Sequence, residues 1–504
     1  MITKTDFYNY ALSTIIIIAS ANSLAADLGT AQQAYLKPNN SNSDDWFGIS
    51  VAISGDTMVV GASLEDSNVT GVNNGDGTDN SARDSGAAYV FIRAGNSWVQ
   101  QAYLKASNTD AGDQFGFSVA ISGDTILVGA PHEDGDGMGD QNNNLENSSG
   151  AVYAFTRSAG VWTQQAYIKA SNPEFNDRFG KSVSISGDTM VAGAYLEDSS
   201  ATIVNGDADD NLASDSGAAY VFSRTADSWS QTAYLKASNA EANDHFGYAA
   251  AISADTIVIG AKNESSNATQ VNGEQDNNLA ASSGAAYVFT RTATGWEQQA
   301  YLKSFNSEFS DRFGFSVAIS GETIAIGAYL EDSSDTGVNG TGSNNSSSSS
   351  GAAYTFIRTD NNWTRQTYFK ASNTDNTDLF GFSVAISGDI LVVGSRLEDS
   401  NSQGINQDGN NELANGSGAA YSFIRKSGIW EPLAYIKASN TGAGDKFGAA
   451  VGISENMLII GALNESSNAT EINGDQNNDL ADQSGAAYVF NIDDSASIFN
   501  NSFE

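Results

Sequence analysis

Residues 113–131 read Asp-Gln-Phe-Gly-Phe-Ser-Val-Ala-Ile-Ser-Gly-Asp-Thr-Ile-Leu-Val-Gly-Ala-Pro, and this stretch decides the fold. A Phe-Gly pair introduces an alternating apolar run, a Gly-Asp turn follows, and a second apolar run ends in Gly-Ala-Pro. The Phe-Gly pair recurs every 67 residues or so, at Phe47, Phe115, Phe179, Phe246, Phe313, Phe380 and Phe447. A period of this length indicates a repeat architecture, which overrides the length-based expectation of roughly three separate domains.

Each period contains four strand candidates, A to D. In the second repeat they are residues 117–122, 125–130, 151–157 and 162–169. All four are rich in β-branched and aromatic residues, and none has the apolar stripe of a helix. Seven four-stranded antiparallel sheets in series predict an all-β fold, a seven-bladed β-propeller.

The two ends of the chain support a closed ring. Residues 32–37 read as a D strand with no A, B or C strand before it, whereas the last repeat has A, B and C but no D. Pairing the two ends completes the last blade and removes the open sheet edges. A parallel β-solenoid, the rival fold, has no need of complementary ends. The propeller is predicted over residues 26–490, with repeats starting near 35, 103, 167, 234, 301, 368 and 435, and a tail over 491–504.

The N-terminus has the pattern of a secretory signal peptide over residues 1–25. Lys4 precedes an apolar run over 11–19, and Ser23-Leu24-Ala25 offers a small-x-small cleavage site near Ala25 or Ala26. The run is too short to span a bilayer, and no later segment has the length. We therefore expect an exported protein, extracellular, at the cell surface or in the periplasm, with no transmembrane segment in the mature chain and a monomeric propeller. The absence of cysteine excludes disulfides and thiolate metal sites.

The charge balance is strongly acidic. The chain has 23 basic and 60 acidic residues, a formal net charge of −37. Such a chain repels nucleic acid and anionic membranes and attracts cations or basic partners. Because the apolar runs recur regularly, the acids are interpreted as loop and surface residues rather than as a sign of disorder.

Strand order assigns the loops to two rims. The A–B connection is a Gly-Asp turn that suits a type II′ hairpin, and the C–D connection is also short. The turns with Ala254-Asp255 and Glu455-Asn456 lack the glycine, so another turn type is expected there. The B–C loops, of roughly twenty residues, and the D–A loops, of about ten, share the other rim. Function is expected on that loop-rich rim.

Two acidic positions recur in every repeat. An aspartate lies two residues before each Phe (Asp45, Asp113, Asp177, Asp244, Asp311, Asp378 and Asp445), and a glutamate follows each B strand (Glu65, Glu133, Glu197, Glu264, Glu331, Glu398 and Glu465). The aspartate is expected to accept backbone N–H bonds and shape the turn. A lysine ends every D strand and is expected to pair with one of these acids between blades. Both positions are interpreted as structural.

A third set of acids suggests calcium. Residues 134–140 and 205–211 concentrate carboxylate and amide oxygens with glycine, the ligands and backbone that Ca²⁺ prefers. Neither segment matches the EF-hand spacing, so a calcium site and a solvated acidic loop both stay open. Related acids precede the C strand in six repeats, whereas the fifth has Thr341 there and a serine run nearby. The candidate ligands are Asp76, Asp134, Asp136, Asp140, Asp207, Asp209 and Asp475; no other cofactor is expected.

No catalytic motif is present. The two histidines, His132 and His245, have unrelated residues at the equivalent positions of other repeats and are interpreted as incidental surface residues. No nucleophile elbow, zinc-binding His pair or phosphate-binding glycine loop occurs. No catalytic residue is therefore assigned.

The Phe-Gly…Gly-Ala-Pro pattern resembles that of the FG-GAP repeat proteins, including bacterial ones, and of the seven-bladed propeller of integrin α subunits. The position of Pro131 varies between repeats: Ser63, Tyr195, Lys262, Tyr329, Arg396 and Leu463. The resemblance implies partner binding on the B–C and D–A rim. Integrin α propellers hold Ca²⁺ in an A–B loop, but the A–B connection here is a two-residue turn, so those sites do not carry over.

Three hypotheses of function follow. The first is an exported, non-enzymatic binding or adhesion module that engages a protein or glycan through the acidic loop-rich rim, with calcium as a potential aid. The second is a secreted carbohydrate-active hydrolase or lyase that uses rim carboxylates. The third is a structural surface-layer component.

Overall fold

The computed structural model describes residues 31–75, 77–137 and 140–492, and every regular element in those residues is a β-strand. In chain order the strands are β1 (Ala31–Leu36), β2 (Phe47–Ser54), β3 (Thr57–Ala62), β4 (Ala87–Ala94), β5 (Ser97–Leu104), β6 (Ser118–Ser122), β7 (Thr125–Ala130), β8 (Ala151–Ser158), β9 (Val161–Ile168), β10 (Ser182–Ser186), β11 (Thr189–Ala194), β12 (Ala218–Thr225), β13 (Ser228–Leu235), β14 (Phe246–Ser253), β15 (Thr256–Ala261), β16 (Ala285–Thr292), β17 (Gly295–Leu302), β18 (Ser316–Ser320), β19 (Thr323–Ala328), β20 (Ala352–Thr359), β21 (Asn362–Phe369), β22 (Phe380–Ser387), β23 (Ile390–Ser395), β24 (Ala419–Lys426), β25 (Ile429–Ile436), β26 (Phe447–Ser454), β27 (Met457–Ala462) and β28 (Ala486–Asn491).

The strands form seven four-stranded antiparallel sheets, as the repeat predicts. Blades 1 to 6 each consist of four consecutive strands, from β2–β5 through β22–β25. Blade 7 combines β26, β27 and β28 with the N-terminal β1. The A strands of neighbouring blades contact one another around a central channel. The predicted propeller is therefore confirmed. The predicted signal peptide and most of the predicted tail lie outside the described residues.

The repeated glycines form the seam between blades. Gly116 has φ +90°, and a Cβ there would lie 2.1 Å from the carbonyl oxygen of Ala87. Gly129 ends the B strand of blade 2, and a Cβ there would lie 2.1 Å from the carbonyl oxygen of Gly180, the equivalent of Gly116 in blade 3. Ser118 Oγ donates to the same carbonyl at 2.8 Å. Only glycine allows adjacent backbones to approach this closely.

The hydrophobic core is divided among the junctions between blades. One cluster joins Val59, Val90 and Leu104 of blade 1 to Phe115 and Ile126 of blade 2. The B strands are the most buried elements, as in β7, which has no exposed residue. Because each blade buries its apolar surface against the next one, no blade has a complete core of its own.

The A–B turns of blades 4 and 7, which lack glycine, do not differ from the others as expected. Gly55 and Gly123 begin the A–B turns of blades 1 and 2 with φ +54° and +56°. Ala254 and Glu455 occupy the same position with φ +50° and +53°. The expectation of another turn type in those blades is therefore wrong. The flanking strand pairing, which is the same in all blades, holds a non-glycine residue in the left-handed conformation.

Ring closure depends on β1. It pairs antiparallel with β28, with Tyr35 opposite Tyr488 and their rings 5.3 Å apart. Tyr35 belongs to the cluster between blades 6 and 7, while Ala34 and Leu36 belong to the cluster between blades 7 and 1. The N-terminal strand thus completes two junctions at once.

Candidate functional site

The two rims of the propeller differ in the way the strand order predicts. The A–B and C–D turns lie on one rim, which we call the bare rim. The B–C and D–A connections lie on the other, the loop-rich rim. The loop-rich rim surrounds one mouth of the central channel.

The recurring glutamate and lysine are paired and buried. In blade 1, Lys105 Nζ lies 2.8 Å from Glu65 Oε2, and neither side chain is more than 1% exposed. Tyr103 donates its hydroxyl to Glu65 Oε1 at 2.7 Å, and Ser85 Oγ accepts from Lys105 Nζ at 2.8 Å. The same Glu–Lys pair is present in every blade. Each pair lies within one blade, so the expectation of pairing between blades is wrong.

The recurring aspartate is also buried and shapes the D–A loop. Asp113 Oδ2 accepts the backbone N–H of Asp110 at 3.1 Å, and the corresponding bond recurs in each blade. Burial raises the pKa of Asp113 to about 8. The structural interpretation of both acids is confirmed. Their burial corrects the sequence-based view that acids lie only in loops and on the surface.

The candidate calcium ligands lie in separate, largely exposed loops. The carboxylate of Asp134 accepts the backbone N–H of Ser148 at 2.7 Å and closes its own loop. Asp140, Asp207 and Asp475 each accept the backbone N–H two residues further on, at 3.0–3.2 Å. Asp136 and Asp209 lie in the same loops, whereas Asp76 lies outside the described residues. Among the described residues, no three His, Asp or Glu side chains gather as a metal site would require.

A large cavity is not the best candidate for a site. It has a volume of ≈ 740 Å³ and lies at the bare rim between blades 4 and 5. Its charged groups neutralise one another: Arg291 lies 3.0 Å from Asp255, and Arg358 pairs with Glu322. Arg–acid pairs at the equivalent positions also join the strands of blades 2, 3 and 6, so we interpret this cavity as a groove between blades.

The mouth of the channel on the loop-rich rim holds a different set of side chains. Three positions of each repeat face it: the residue before Phe-Gly, the residue after Phe-Gly, and the residue after Gly-Ala. We give the name mouth cluster to twelve of the basic and aromatic residues at these positions, leaving out Trp46 and His245: Arg178, Lys181, Lys262, Arg312, Arg396 and Lys446, with Phe117, Tyr195, Tyr248, Phe315, Tyr329 and Phe382. All twelve are half-buried.

The residue before each Phe-Gly has a left-handed backbone in all seven blades, with φ between 57° and 64° (Trp46, Gln114, Arg178, His245, Arg312, Leu379 and Lys446). Glycine or asparagine would adopt this conformation at lower cost. The chain instead places large side chains here. Because all seven repeats share the conformation, it is a property of the repeat, and only the side chains differ between blades.

Cations and rings alternate around the mouth. Lys181 Nζ lies 4.0 Å from the ring centre of Phe117 and 4.6 Å from that of Tyr248. Lys262 Nζ lies 3.6 Å from Tyr248, whose ring is 5.1 Å from Phe315. The contacts continue from Phe315 to Tyr329 at 4.2 Å and to Phe382 at 4.9 Å. Arg396 lies 3.8 Å above Phe382. The result is a continuous crescent that extends from blade 2 to blade 6.

Within the part of the chain that the structure describes, no carboxylate lies within ion-pair distance of a mouth-cluster cation, and Asp134 acts on Arg178 only from farther away. Among the described residues, none of the six forms an ion pair with an acid. The Nε atoms of Arg312 and Arg396 are buried without a hydrogen-bond partner. Burial, and then the positive charge of Lys262, lower the pKa of Lys181 to about 7. Burial and Arg312 lower the pKa of Lys262 to about 8.

Both histidines border the mouth cluster. Arg178 lies against the ring of His132, and His245 lies 5.2 Å from the ring of Tyr195. Burial and nearby cations lower the pKa of both histidines to about 4, which makes them neutral at pH 7. Their interpretation as incidental surface residues is therefore wrong. The available signal was their position: each occupies a place where the repeats differ.

The mouth opens into the central channel. The channel encloses a cavity of ≈ 280 Å³, close to the lower end of the range typical of small-ligand sites. Lys181, Tyr248, Phe315 and Phe382 line it together with small residues of the seven A strands. Chemically, this arrangement combines uncompensated positive charge with accessible aromatic surface.

Comparison with known families agrees with the repeat. A family model described as FG-GAP repeat matches seven segments that together cover most of the chain: residues 30–91, 98–155, 162–222, 229–289, 296–356, 363–423 and 430–490. A search of curated proteins gave no match. In the described part of the chain, no helix is long and apolar enough to cross a membrane.

Proposed function

The chain belongs to the FG-GAP repeat family, and from this premise we propose that it is a non-enzymatic binding module that engages an extracellular protein or glycan through the loop-rich rim of the propeller. FG-GAP repeats are typical of protein-binding modules and of extracellular proteins. Export through the N-terminal signal peptide is part of the proposal. An adhesive role is its natural extension.

One observation carries the proposal: partly exposed cations that form no ion pair with an acid among the described residues gather with aromatic rings at a single place on the loop-rich rim. In a repeat protein, the positions that build the blades are the same in each copy. The mouth cluster instead uses the positions that differ. It combines buried polar atoms that lack partners with aromatic surface, which is the composition of a binding site.

The repeated acids support binding over catalysis. Glu264 is held by Lys303, and Asp311 accepts the backbone N–H of Glu308 at 2.8 Å, so both carboxyl groups serve the fold. The absence of catalysis stays a prediction. Turnover of a polysaccharide that a single Asp or Glu substitution abolished would favour the hydrolase or lyase alternative. Self-assembly at high concentration without a distinct ligand would favour a surface-layer role.

The rim assignment can be tested by exchanging loops. The B–C and D–A loops of this propeller would be grafted onto an inert propeller with the same number of blades, and both proteins screened against glycan and extracellular-protein arrays. We expect binding to move with the loops and with the mouth cluster. Binding that stayed with the original scaffold after its loops had been replaced would contradict the proposal.

Calcium is proposed only as an aid that orders the B–C loops. Thermal melting of the chain in excess EDTA and in millimolar Ca²⁺ tests this role. A ligand that binds only the folded state at one hundred times its dissociation constant adds about 2.7 kcal/mol of stability. We expect an upward shift of the melting temperature in Ca²⁺. An unchanged melting temperature would identify the loops that contain Asp134, Asp140, Asp207 and Asp475 as solvated loops.

A further inference from the structure

We infer that the mouth cluster is a binding site for an anionic saccharide, a sugar chain that carries carboxylate or sulfate groups. This inference rests on the proposed function and names the ligand class and the site within the rim. It also gives the rim a positively charged centre, whereas the sequence alone predicts an acidic surface that attracts basic partners.

The basic residues are distributed unevenly over the propeller. The chain has only 23 of them against 60 acids. Seven lysines are paired with glutamates inside the blades, and arginines at the bare rim are paired with acids in the A–B turns. The remaining basic residues include six that converge from blades 3 to 7 on one channel mouth: Arg178, Lys181, Lys262, Arg312, Arg396 and Lys446.

Mutual repulsion makes this convergence costly without a counter-ion. Arg312 lowers the pKa of Lys262, Lys262 lowers that of Lys181, and Arg396 lowers that of Lys446, in each case second to burial. Buried charges are ordinarily paired. An anion placed among these groups would supply the missing partner, and charge-assisted hydrogen bonds to Arg and Lys are the strong ones.

The aromatic rings specify more than an anion. Tyr195, Tyr248 and Tyr329 each combine a flat apolar face with a hydroxyl group, and all three are half-buried beside the cations. A sugar ring has both an apolar face and hydroxyl groups, so it can use both features. A site for inorganic phosphate or sulfate alone would need the cations and hydrogen-bond donors but not this aromatic surface.

The position of the exposed acids favours a narrow ligand. The B–C loops on the same rim present exposed acids, including Asp140, Asp207, Glu274, Asp408 and Asp475. Glu274 lies beside the D strand of blade 4, at the edge of the blade away from the channel. An acidic partner broad enough to cover the whole rim would meet such carboxylates, and like charges would oppose it. The end of a single saccharide chain can enter the mouth without contacting them.

Titration calorimetry with the full chain tests the inference. The probes are tetragalacturonate as a carboxylated chain, a chondroitin sulfate tetrasaccharide as a sulfated chain, cellotetraose as a neutral chain, sodium sulfate, and an eight-nucleotide single-stranded DNA. We expect at least one anionic saccharide to bind more tightly than every other probe, with an affinity that falls as salt is raised. The inference would be overturned if cellotetraose, sulfate or DNA bound most tightly. It would also be overturned if neither of the two anionic saccharides bound.

Paired variants locate the site. The double substitution Lys262→Gln and Arg396→Gln removes two cations and leaves shorter, neutral polar side chains in their place. It should weaken binding by about tenfold or more for each lost charge-assisted bond. The control is Arg83→Gln, which removes one charge from an 86%-exposed side chain in a B–C loop. Equal effects of the double variant and the control would contradict the inference. Melting temperatures check that all variants are folded.

The two proposals can fail separately. A protein or neutral-glycan ligand from the arrays whose affinity is unchanged by Lys262→Gln and Arg396→Gln would leave the proposed function standing and overturn the anionic site. If no array ligand and no anionic saccharide binds, both proposals fail. A further variant, Tyr248→Leu, should weaken the binding of the saccharide more than the binding of sulfate, because the aromatic ring contacts only the sugar.

Discussion

At the scale of single residues, Arg312 of the mouth cluster occupies a left-handed backbone position and has an unpartnered polar atom. Arg312 has φ 62°, and a left-handed conformation costs a non-glycine residue about 1–2 kcal/mol, whereas asparagine tolerates it better. The Nε atom of Arg312 is buried and has no partner. Among the described residues, Arg312 forms no ion pair with an acid, so an anionic ligand, as inferred above, would supply the partner that its guanidinium lacks.

We therefore predict that Arg312→Asn stabilises the protein, by about 1 kcal/mol, while it weakens the binding of an anionic saccharide. Denaturant unfolding and calorimetry measure the two effects on the same preparation. Ser310→Asn, at a left-handed position with φ 71° in the same loop, is the control; it should change stability without changing affinity. Destabilisation by Arg312→Asn would show that the arginine serves the fold.

The buried aspartates make stability depend on pH. Burial raises the pKa of Asp311 from 3.8 to about 8. A carboxyl group whose pKa is higher in the folded state takes up a proton on folding, so its stabilising contribution is complete below pH 3.8 and is lost as the pH rises through 8. The same direction applies to the other six recurring aspartates.

We predict that Asp311→Asn loses less stability than the wild type between pH 5 and about 8, because the amide still accepts the N–H of Glu308 but does not ionise. Asp311→Ala should cost about 1–3 kcal/mol at every pH, since it leaves that buried N–H unsatisfied. Urea unfolding at a series of pH values measures both variants. Parallel pH profiles of the wild type and Asp311→Asn would show that this carboxyl is ionised in the fold.

At the scale of the blade, the Glu–Lys pair ties three strands and a loop together. In blade 4, Lys303 at the end of the D strand lies 3.0 Å from Glu264, which follows the B strand. Tyr301 donates to the same glutamate at 2.9 Å, and Lys303 also donates to the carbonyl oxygen of Gly284 at 2.7 Å, just before the C strand. The long B–C loop therefore begins and ends at fixed points.

We predict that Lys303→Met destabilises the protein by about 3–5 kcal/mol, because it leaves a buried carboxylate without its cation. Adding Glu264→Gln to Lys303→Met should recover part of this loss, and a double-mutant cycle measures the coupling. The matched control is Arg291→Gln, which breaks a more exposed pair in the same blade and should cost less than about 1 kcal/mol. If Lys303→Met and Arg291→Gln reduced the stability equally, the structural role of the buried Glu–Lys pair would be contradicted.

At the scale of the whole molecule, the ring depends on its N-terminal strand. β1 pairs with β28 and contributes to the clusters on both sides of blade 7. Lys37, directly after β1, is the cation that pairs with the buried Glu465. Without β1, blade 7 would present an open edge and blades 7 and 1 would share an incomplete core.

We predict that deletion of Ala31–Leu36 lowers the melting temperature and produces aggregates or strand-exchanged oligomers that the intact chain does not form. Size-exclusion chromatography with light scattering measures the oligomeric state. Addition of a peptide with the sequence of residues 31–37 should restore part of the melting temperature. A deletion variant that stayed monomeric with an unchanged melting temperature would show that the ring closes without this strand.

The repeat made the fold predictable at all three scales. Alternating apolar runs, short turns and complementary ends are local patterns, so the number of blades, the strand order, the closure and the two rims follow from the residues themselves. The strand bounds differ by a residue in some cases, as in blade 2, where the A strand begins at Ser118 rather than at residue 117. Recurrence also indicated correctly that one aspartate and one glutamate in each repeat are structural.

The candidate site was decided by the tertiary structure alone. Lys181, Lys262 and Arg396 come from three blades. Lys262 and Arg396 share the repeat position of Pro131, whereas Lys181 follows a Phe-Gly pair, and the repeat alone does not show that these two positions meet. A strongly negative total charge also conceals six cations, because net charge does not record where charges lie. Ring closure brings those positions together around one axis. The recurring glutamates and lysines neutralise one another in buried pairs inside the blades, away from that axis. The sequence by itself determines the propeller, because the pattern of each blade lies within one repeat. Only the closed ring determines the cationic mouth, because its side chains come from blades that are far apart in the chain.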